Sequence, residues 1–169
     1  FNFLLLITKG ELVQNIYNEE YLVSKDEIIN ITQGNITVTS SISSDIEGYF
    51  IVYENDFLND LVLRDNNLKF SMVNPHIILT QESSHWIQNA IELMHTEVTN
   101  DSETKMTIST LIFESILIKI YHGKTITKDS ANRPYHITHQ FRELVQKHHL
   151  DHKNVLFYAN MLHISENYL

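Results

Sequence analysis

The protein is a chain of 169 residues, of which 43% are hydrophobic and 20% are charged. This composition predicts a folded domain with a sizeable core, and the four Gly and two Pro exclude collagen-like and low-complexity chains. The absence of Cys excludes disulfides, Cys-ligated zinc, iron–sulfur clusters and a thiol nucleophile. No apolar run approaches the ~20 residues that cross a bilayer and no signal peptide is recognisable, so we expect a cytoplasmic protein with no membrane partner.

Charge is distributed unevenly along the chain. Twelve Lys and Arg against 21 Asp and Glu give a net charge of −9. Residues 1–123 hold 17 acidic and 6 basic side chains, whereas residues 124–169 hold 4 acidic and 6 basic ones together with six of the ten His. This asymmetry predicts two modules with different partners, and the acidic module should repel nucleic acid.

The first third of the chain has the pattern of short β-strands. Segments rich in Ile, Val, Thr, Tyr and Phe alternate with turn residues such as Lys9-Gly10 and Gln33-Gly34. Short, evenly spaced strands without βαβ alternation predict an antiparallel sandwich or barrel. The predicted strands span residues 2–8, 11–17, 20–23, 27–32, 35–40 and 49–53. A short helix is predicted over residues 56–61 and one more strand within residues 69–80.

Two longer helices are predicted next. Ser83 or Ser84 can cap a helix that ends near Thr99, and a second helix runs over residues 103–122 with Gly123 as its stop. The short connection between them predicts an antiparallel hairpin. Trp86 lies on the apolar side of the first helix, and we interpret it as a core residue.

The second of these helices is apolar over more of its circumference than a single buried stripe requires. One face can pack on the sheet, and the remainder would be an exposed apolar patch that a second copy covers, which predicts a homodimer. The alternative is that the first helix and the sheet bury both faces within one protomer. The interface candidates form two rows, which are Ile108, Leu111 and Ile112, and Phe113, Ile116, Leu117 and Ile120.

The last part of the chain follows a polar segment at residues 124–134, which we interpret as a linker. Helices are predicted over residues 137–149 and 154–163, with the start of another at Ser165. Ala159 is small where two helices would cross, and Ser165 can cap the following helix, which is the pattern of a helix-turn-helix. Such a helix can enter the major groove of DNA. An ordinary helical hairpin fits the same pattern.

Polar and aromatic side chains on the predicted strands are candidates for a small-molecule pocket. Strand alternation turns either Gln14 or Asn15 inward, and an inward amide suits the orientation of a ligand. Sheet packing is the alternative for the tyrosines. The candidates are Gln14, Asn15, Tyr17, Tyr49 and Tyr53.

Patterns of catalytic or metal-binding residues are weak. Residues 1–75 contain no His, so the predicted strands cannot supply the convergent His ligands of a metal-dependent barrel enzyme. His148, His149 and His152 are interpreted as polar residues at a helix end. Asp26-Glu27 falls at a predicted turn and is interpreted as solvated. We therefore predict no catalytic residue, no metal and no cofactor, and we do not expect an enzyme.

Taken in chain order, these segments resemble the AraC/XylS family of bacterial transcription regulators. Phe141-Arg142-Glu143-Leu144-Val145 and residues 155–169 look like the opening of the DNA-binding domain of that family. Residues 3–10, 21–23 and 27–34 look like its β-sandwich sensor, a truncated cupin, and residues 48–58 match the strand and helix that follow. Residues 83–122 fall where the family places its dimerisation helices.

The resemblance implies an α+β chain in three parts. A cupin-like, jelly-roll-like antiparallel β-sandwich with a pair of dimerisation helices would occupy residues 1–123, a linker residues 124–134, and the start of an incomplete AraC-type helix-turn-helix domain residues 135–169. Gln33 and Thr37 stand where many relatives have Pro and His, so the ligand chemistry of no relative can be carried over.

The function implied is that of the effector-sensing and dimerisation portion of a bacterial DNA-binding transcription regulator. Its partners would be a second copy, a small-molecule effector, and DNA through the complete C-terminal domain, not through this fragment alone. Ser165, Asn167 and Tyr168 would begin the DNA contacts. The alternatives are a cupin-type enzyme and a pure dimerisation module that binds no ligand.

Overall fold

A computed structural model describes residues 1–17, 19–54, 56–57, 61, 64, 75–122 and 133–169. The chain forms two compact units, Phe1–Lys128 and Asp129–Leu169, and their boundary falls inside the range 124–134. The strands are β1 (Asn2–Lys9), β2 (Leu12–Ile16), β3 (Glu19–Val23), β4 (Glu27–Ile31), β5 (Thr37–Ile42), β6 (Glu47–Tyr53) and β7 (His76–Ile78). The helices are α1 (Gln81–Thr99), α2 (Lys105–His122), α3 (Arg133–His148) and α4 (Val155–Met161).

The strands of the first unit form two antiparallel sheets. The helix-side sheet has the order β6–β1–β4–β7, and the outer sheet has the order β3–β2–β5. Short turns connect several consecutive strands, and the β1–β2 turn contains Gly10 at φ 73°. A Cβ at Gly10 would meet the Ser43 hydroxyl oxygen and the Ile46 backbone, so this turn needs glycine both for its dihedral angle and for space.

The helix-side sheet is the middle of three layers because its strands β1 and β4 are covered on both faces. On β1, Leu4 and Leu6 pack into a cluster with α1 and α2, whereas Leu5 and Ile7 pack into a second cluster with the outer sheet. Period-two alternation of side chains makes this division possible along the apolar stretch of residues 3–7. The Leu-Leu-Leu-Ile segment of β1 is therefore apolar on one face because it packs on the helices, and on the other because it packs on the outer sheet.

The α+β class and the antiparallel sheets are confirmed. Each of the six predicted strands is present with ends that differ by at most two residues. The strand predicted within residues 69–80 is β7. Of the short helix predicted over residues 56–61, Asp56, Phe57 and Leu61 are helical and the rest lies outside the described residues, as does Gly123. The cupin or jelly-roll subtype stays a prediction.

Helix α1 begins earlier than predicted because its cap is Thr80, and neither Ser83 nor Ser84 caps it. The Thr80 side chain accepts a hydrogen bond from the Ser83 backbone N–H at 3.2 Å. Ser83 and Ser84 lie buried in the first turn, and the Ser84 hydroxyl donates to the Asp26 carboxylate at the start of β4. The helix ends at Thr99 as predicted, and α2 follows after a short connection.

The second unit consists of α3, α4 and a terminal turn. Asn154 caps α4 by accepting the Leu156 N–H at 2.9 Å, and the Tyr158 ring meets the Phe141 ring edge to face at 5.5 Å. Ala159 is fully buried, as its small size predicts. After α4, His163 adopts φ 53°, a left-handed conformation in which glycine is common.

The helix predicted to start at Ser165 is not present. The Tyr168 N–H donates to the Ser165 carbonyl at 3.0 Å, which closes a single turn. A single turn is the least favourable part of a helix, because it fixes several residues for one hydrogen bond. The helix-turn-helix assignment stays a prediction.

Candidate functional site

A cavity of about 320 Å³ lies between the two sheets of the first unit. Its wall combines apolar side chains of β1, β4 and β6 with polar side chains of β2, β5 and the turn at residues 32–35. Phe1 and Phe50, which are 66% and 62% exposed, mark the side that meets solvent. The volume is at the lower end of the range that holds small organic ligands.

Gln14 is the predicted pocket residue that the structure places in this wall. It is 3% exposed, and its amide is held by two hydroxyls of the neighbouring strand. The Gln14 Nε2 atom donates to Thr37 Oγ1 at 2.6 Å, and Thr39 Oγ1 donates to Gln14 Oε1 at 2.7 Å. These bonds fix the amide plane relative to β5.

Asn15 points to the opposite face of the outer sheet and is not part of the cavity. Leu12, Gln14 and Ile16 are buried and the residues between them are half-buried, so β2 alternates regularly. The Asn15 amide donates to the Ser40 hydroxyl on the outer surface. The structure thereby answers which of the two neighbouring amides faces inward, a choice that local sequence left open.

Tyr17 forms hydrogen bonds with residues at the rim of the cavity. Its hydroxyl donates to the Gly34 carbonyl at 3.0 Å and accepts from the Asn35 amide at 3.0 Å. The Asn35 side-chain oxygen accepts the Thr32 N–H at 2.8 Å, and the Gln33 N–H donates to Asn2 at 2.9 Å. The turn at residues 32–35 is thus held by side chains from several elements, which gives this end of the cavity a fixed shape.

Tyr49 and Tyr53 do not line the cavity, so their assignment to the pocket is corrected. Both lie on the other face of β6, where they pack against the helical cluster. The Tyr49 hydroxyl donates to Glu92 of α1, and this hydrogen bond raises the pKa of the Tyr49 phenol. Burial raises the pKa of the Tyr53 phenol well above its usual range, although a hydrogen bond with Tyr121 opposes part of the rise.

Several wall residues were not anticipated from the sequence. Phe3 and Phe50 stack with ring centroids 5.6 Å apart and planes 19° apart, and both residues line the cavity. Thr37 and Thr39 supply the hydroxyls that hold Gln14. The alternation of Thr37, Val38 and Thr39 is a strand signal, but which face is inward depends on pairing with β2.

A second feature is the outer row of α2, which we define as Ile108, Leu111, Ser115 and Ile118. Leu111 is 57% exposed and Ile118 44%. Residues three and four apart lie on one helix face, so these four form a continuous stripe on the surface of the first unit. Ile112 lies at the flank of the row, half-buried against the helical cluster.

The other predicted row belongs to the core of the same chain. Phe113, Ile116, Leu117 and Ile120 are between 0% and 7% exposed and pack with β1, β4 and α1. Their assignment to a dimer interface is corrected, because side chains already buried in one protomer offer no surface to another. The sequence left open which of the two rows packs in the core. In the structure this row is the core face of α2, and the other row is its outer face.

Helix α1 adds exposed apolar side chains next to α2. Trp86 is 41% exposed and not a core residue, and Leu93 is 53% exposed two turns further along the same face. The Lys119 ammonium of α2 lies 5.7 Å from the centre of the Trp86 ring. This contact between the start of α1 and the end of α2 shows that the helices are antiparallel.

A buried ionisable pair was also missed. The Glu27 carboxylate lies 2.9 Å from His76 Nε2 and accepts the Ser24 N–H at 2.9 Å, and Glu27 is 7% exposed. Its interpretation as a solvated turn residue is wrong. The partner is 49 positions away on the edge strand β7, so no local pattern could reveal it.

The predicted DNA-contacting residues Ser165, Asn167 and Tyr168 are exposed on the terminal turn of the second unit. Among the residues that the structure describes, no three His, Asp or Glu side chains converge in a way that could hold a metal ion. Within the same residues, no helix is both long and apolar enough to span a bilayer.

Comparison with known families identifies the fold. Residues 2–128 match the family described as the ExsA N-terminal regulatory domain. The chain belongs to this family. It is therefore an AraC-family regulatory domain, and the resemblance drawn from the order of its segments is confirmed.

One solved structure agrees with the family at the level of the fold. The crystal structure of the AraC-like transcriptional activator CuxR matches with a TM-score of 0.54 at 13% identity, covering 99% of this chain and 58% of CuxR. An apo ToxT variant from Vibrio cholerae matches with a TM-score of 0.47 at 12% identity, covering 97% of this chain and 62% of ToxT. The AraC-family chain thus spans about three fifths of the length of these structures. No curated protein sequence matches it.

Proposed function

We propose that this AraC-family domain is the effector-sensing and dimerisation part of a DNA-binding transcription regulator. The cavity between the sheets is the effector site, the outer row of α2 is the dimer interface, and α3 and α4 begin the DNA-binding domain. The family match over residues 2–128 supports the regulatory role. The finer assignments depend on the geometry of each feature.

The observation that carries the proposal is the outer row of α2. Soluble monomers seldom keep a contiguous apolar stripe exposed, and a second copy that presents the same helix across a two-fold axis would cover it. Trp86 and Leu93 of α1 extend this surface beside α2. We therefore place a homodimer on the α1–α2 face.

The cavity supports a sensing role because its wall is preformed. Side-chain hydrogen bonds hold both Gln14 and the turn at residues 32–35. An effector that binds one arrangement of the regulator more tightly than another shifts the population toward that arrangement. Such a mechanism involves binding alone, and we assign the chain no catalytic role.

DNA binding belongs to the complete C-terminal domain. Helix α4 and the left-handed residue His163 are compatible with the first half of a helix-turn-helix, and Ser165, Asn167 and Tyr168 are exposed where contacts would begin. A pure dimerisation module that binds no effector is the competing function, and a metal-dependent cupin enzyme is the less favoured one.

Two substitutions on opposite faces of α2 test the proposal. Leu111→Asp places a carboxylate on the outer row, so we expect a folded monomer with the circular dichroism of the wild type. Leu117→Asp buries an unpaired carboxylate, which costs several kcal/mol, so we expect loss of the folded state. Light scattering and circular dichroism separate these outcomes. A Leu111→Asp protein that keeps the oligomeric mass of the wild type would contradict the proposed interface.

A further inference from the structure

The cavity between the sheets has a chemical character that restricts what it can hold. Its described wall consists of aromatic and aliphatic residues, uncharged amides and hydroxyls, and Gly34, with no Asp, Glu, Lys, Arg or His side chain among them. A charged group that lies deep in such a site gives up part of its hydration and gains no ionic partner from these side chains, which is unfavourable. An uncharged ligand avoids this cost.

Gln14 provides the specific polar contact. An amide offers two N–H donors and an oxygen with two lone pairs. Thr37 takes one of the donors and Thr39 fills one of the lone pairs, so one donor and one acceptor remain on a side chain that is 3% exposed. Because Thr37 and Thr39 also fix its orientation, Gln14 presents this donor–acceptor pair in a set direction.

The opposite side of the cavity is apolar and includes two aromatic rings. The stacked rings of Phe3 and Phe50 form this wall, and Leu5, Ile29 and Ile31 continue it toward the interior. Aromatic faces favour offset stacking with other planar rings. A ligand of one to three rings fits both this surface and a volume of about 320 Å³.

We propose that the cavity binds an uncharged small molecule with a flat apolar part and an amide or hydroxyl group that pairs with Gln14. This inference rests on the proposed effector role of the cavity and adds the class of ligand. It separates the site from one built for phosphates or carboxylates, which would need Lys or Arg in the wall.

Two dyes with the same ring system test the ligand class. N-phenyl-1-naphthylamine is uncharged, and 8-anilino-1-naphthalenesulfonate carries one sulfonate on the same scaffold. Titration of the wild-type chain with each dye, followed by dye fluorescence, should give saturable binding of the uncharged dye that is at least about tenfold tighter than that of the sulfonate.

A matched pair of variants on β5 locates the binding. Thr39 lines the cavity and Val38 does not. Thr39→Phe should therefore obstruct the cavity and abolish binding of the uncharged dye, whereas Val38→Phe adds the same ring outside it and should not. In the same way, Thr39→Lys should raise the affinity for the sulfonate dye at least about tenfold, because it supplies the missing ionic partner, and Val38→Lys should not. Circular dichroism and thermal melting verify that each variant is folded.

Each outcome is decisive. If Thr39→Phe abolishes binding of both dyes and the wild type binds them equally, the cavity is a binding site and the uncharged class is wrong. If neither dye binds, or if Thr39→Phe and Val38→Phe behave alike, the cavity does not hold ligands of this kind, and both the inference and the proposed effector role are contradicted. If the wild type prefers the uncharged dye and only Thr39→Phe loses that binding, the inference is supported.

Discussion

Gln14 and Asn15 are neighbours on β2 with opposite environments. Gln14 is buried between the sheets with both amide atoms bonded to Thr hydroxyls, whereas Asn15 bonds to Ser40 at the surface. A buried polar group that loses its partners costs more free energy than an exposed one, because water replaces the partners only at the surface. Substitutions of the two residues can therefore be compared directly, one at a buried position and one at the surface.

We predict that Gln14→Ala lowers the free energy of unfolding by about 1–3 kcal/mol, since it removes two hydrogen bonds and the packing of a buried side chain. Asn15→Ala should change it by less than about 0.5 kcal/mol, because water can satisfy Ser40. Urea denaturation followed by circular dichroism measures both. Equal losses in the two variants would show that Gln14 is not held as described.

The buried Tyr53 phenol should make the folded state less stable at alkaline pH. Burial raises the pKa of its phenol above the value of about 10 that an unfolded tyrosine has. Above about pH 10 the unfolded chain releases this proton while the folded chain retains it, so the free energy of unfolding falls as pH rises. Below about pH 10 both states are protonated and this contribution is fully present.

We expect the free energy of unfolding of Tyr53→Phe to fall less steeply with rising alkaline pH than that of the wild type. The difference in slope should approach about 1.4 kcal/mol per pH unit above about pH 10, because one proton fewer is released on unfolding. Removal of the hydroxyl also removes its 3.3 Å contact with Asn30, so the variant should be less stable at pH 8. Urea titrations across this pH range provide the measurement, and parallel pH profiles of the two proteins would refute the assignment.

At the scale of elements, the cap of α1 shows how a helix start is chosen. Thr80, Ser83 and Ser84 are all capping residue types, and sequence alone favoured the serines. The structure uses Thr80 because Ser83 and Ser84 are buried in the first turn, where the Ser84 hydroxyl reaches Asp26 on the neighbouring turn. Tertiary contact decides between residues of equal local propensity.

We predict that Thr80→Ala destabilises the domain by about 1 kcal/mol through the lost cap. Thr99→Ala, at the other end of the same helix, should cost less, since its exposed hydroxyl bonds only to carbonyls of the preceding turn. Thermal or urea unfolding of the two variants checks the order. A larger loss for Thr99→Ala would mean that the helix is not capped at Thr80.

Local patterns predicted the elements well because strand and helix periodicities act over few residues. The alternation of Leu12, Gln14 and Ile16 and the long apolar helix α2 are visible in the sequence. What local pattern could not supply was the direction in which each face points. That Leu117 is core and Leu111 is surface, that Tyr53 faces the helices, and that Glu27 meets His76 all depend on contacts between distant segments.

At the scale of the molecule, charge limits what the chain does alone. Its net charge of −9 opposes the phosphate contacts that supply most of the affinity for DNA. We predict that residues 1–169 bind DNA only weakly and without sequence preference. Gel shifts at physiological salt with unrelated DNA as competitor measure this. Sub-micromolar binding that resists the competitor would contradict it.

Sedimentation equilibrium of the wild-type chain tests most directly whether a second copy covers the outer row of α2. If the row is a dimer interface, the mass from low to high micromolar concentration should approach twice the chain mass of 19.8 kDa. A chain that sediments at 19.8 kDa throughout that range would contradict the homodimer and leave the exposed Leu111 and Ile118 without the proposed role.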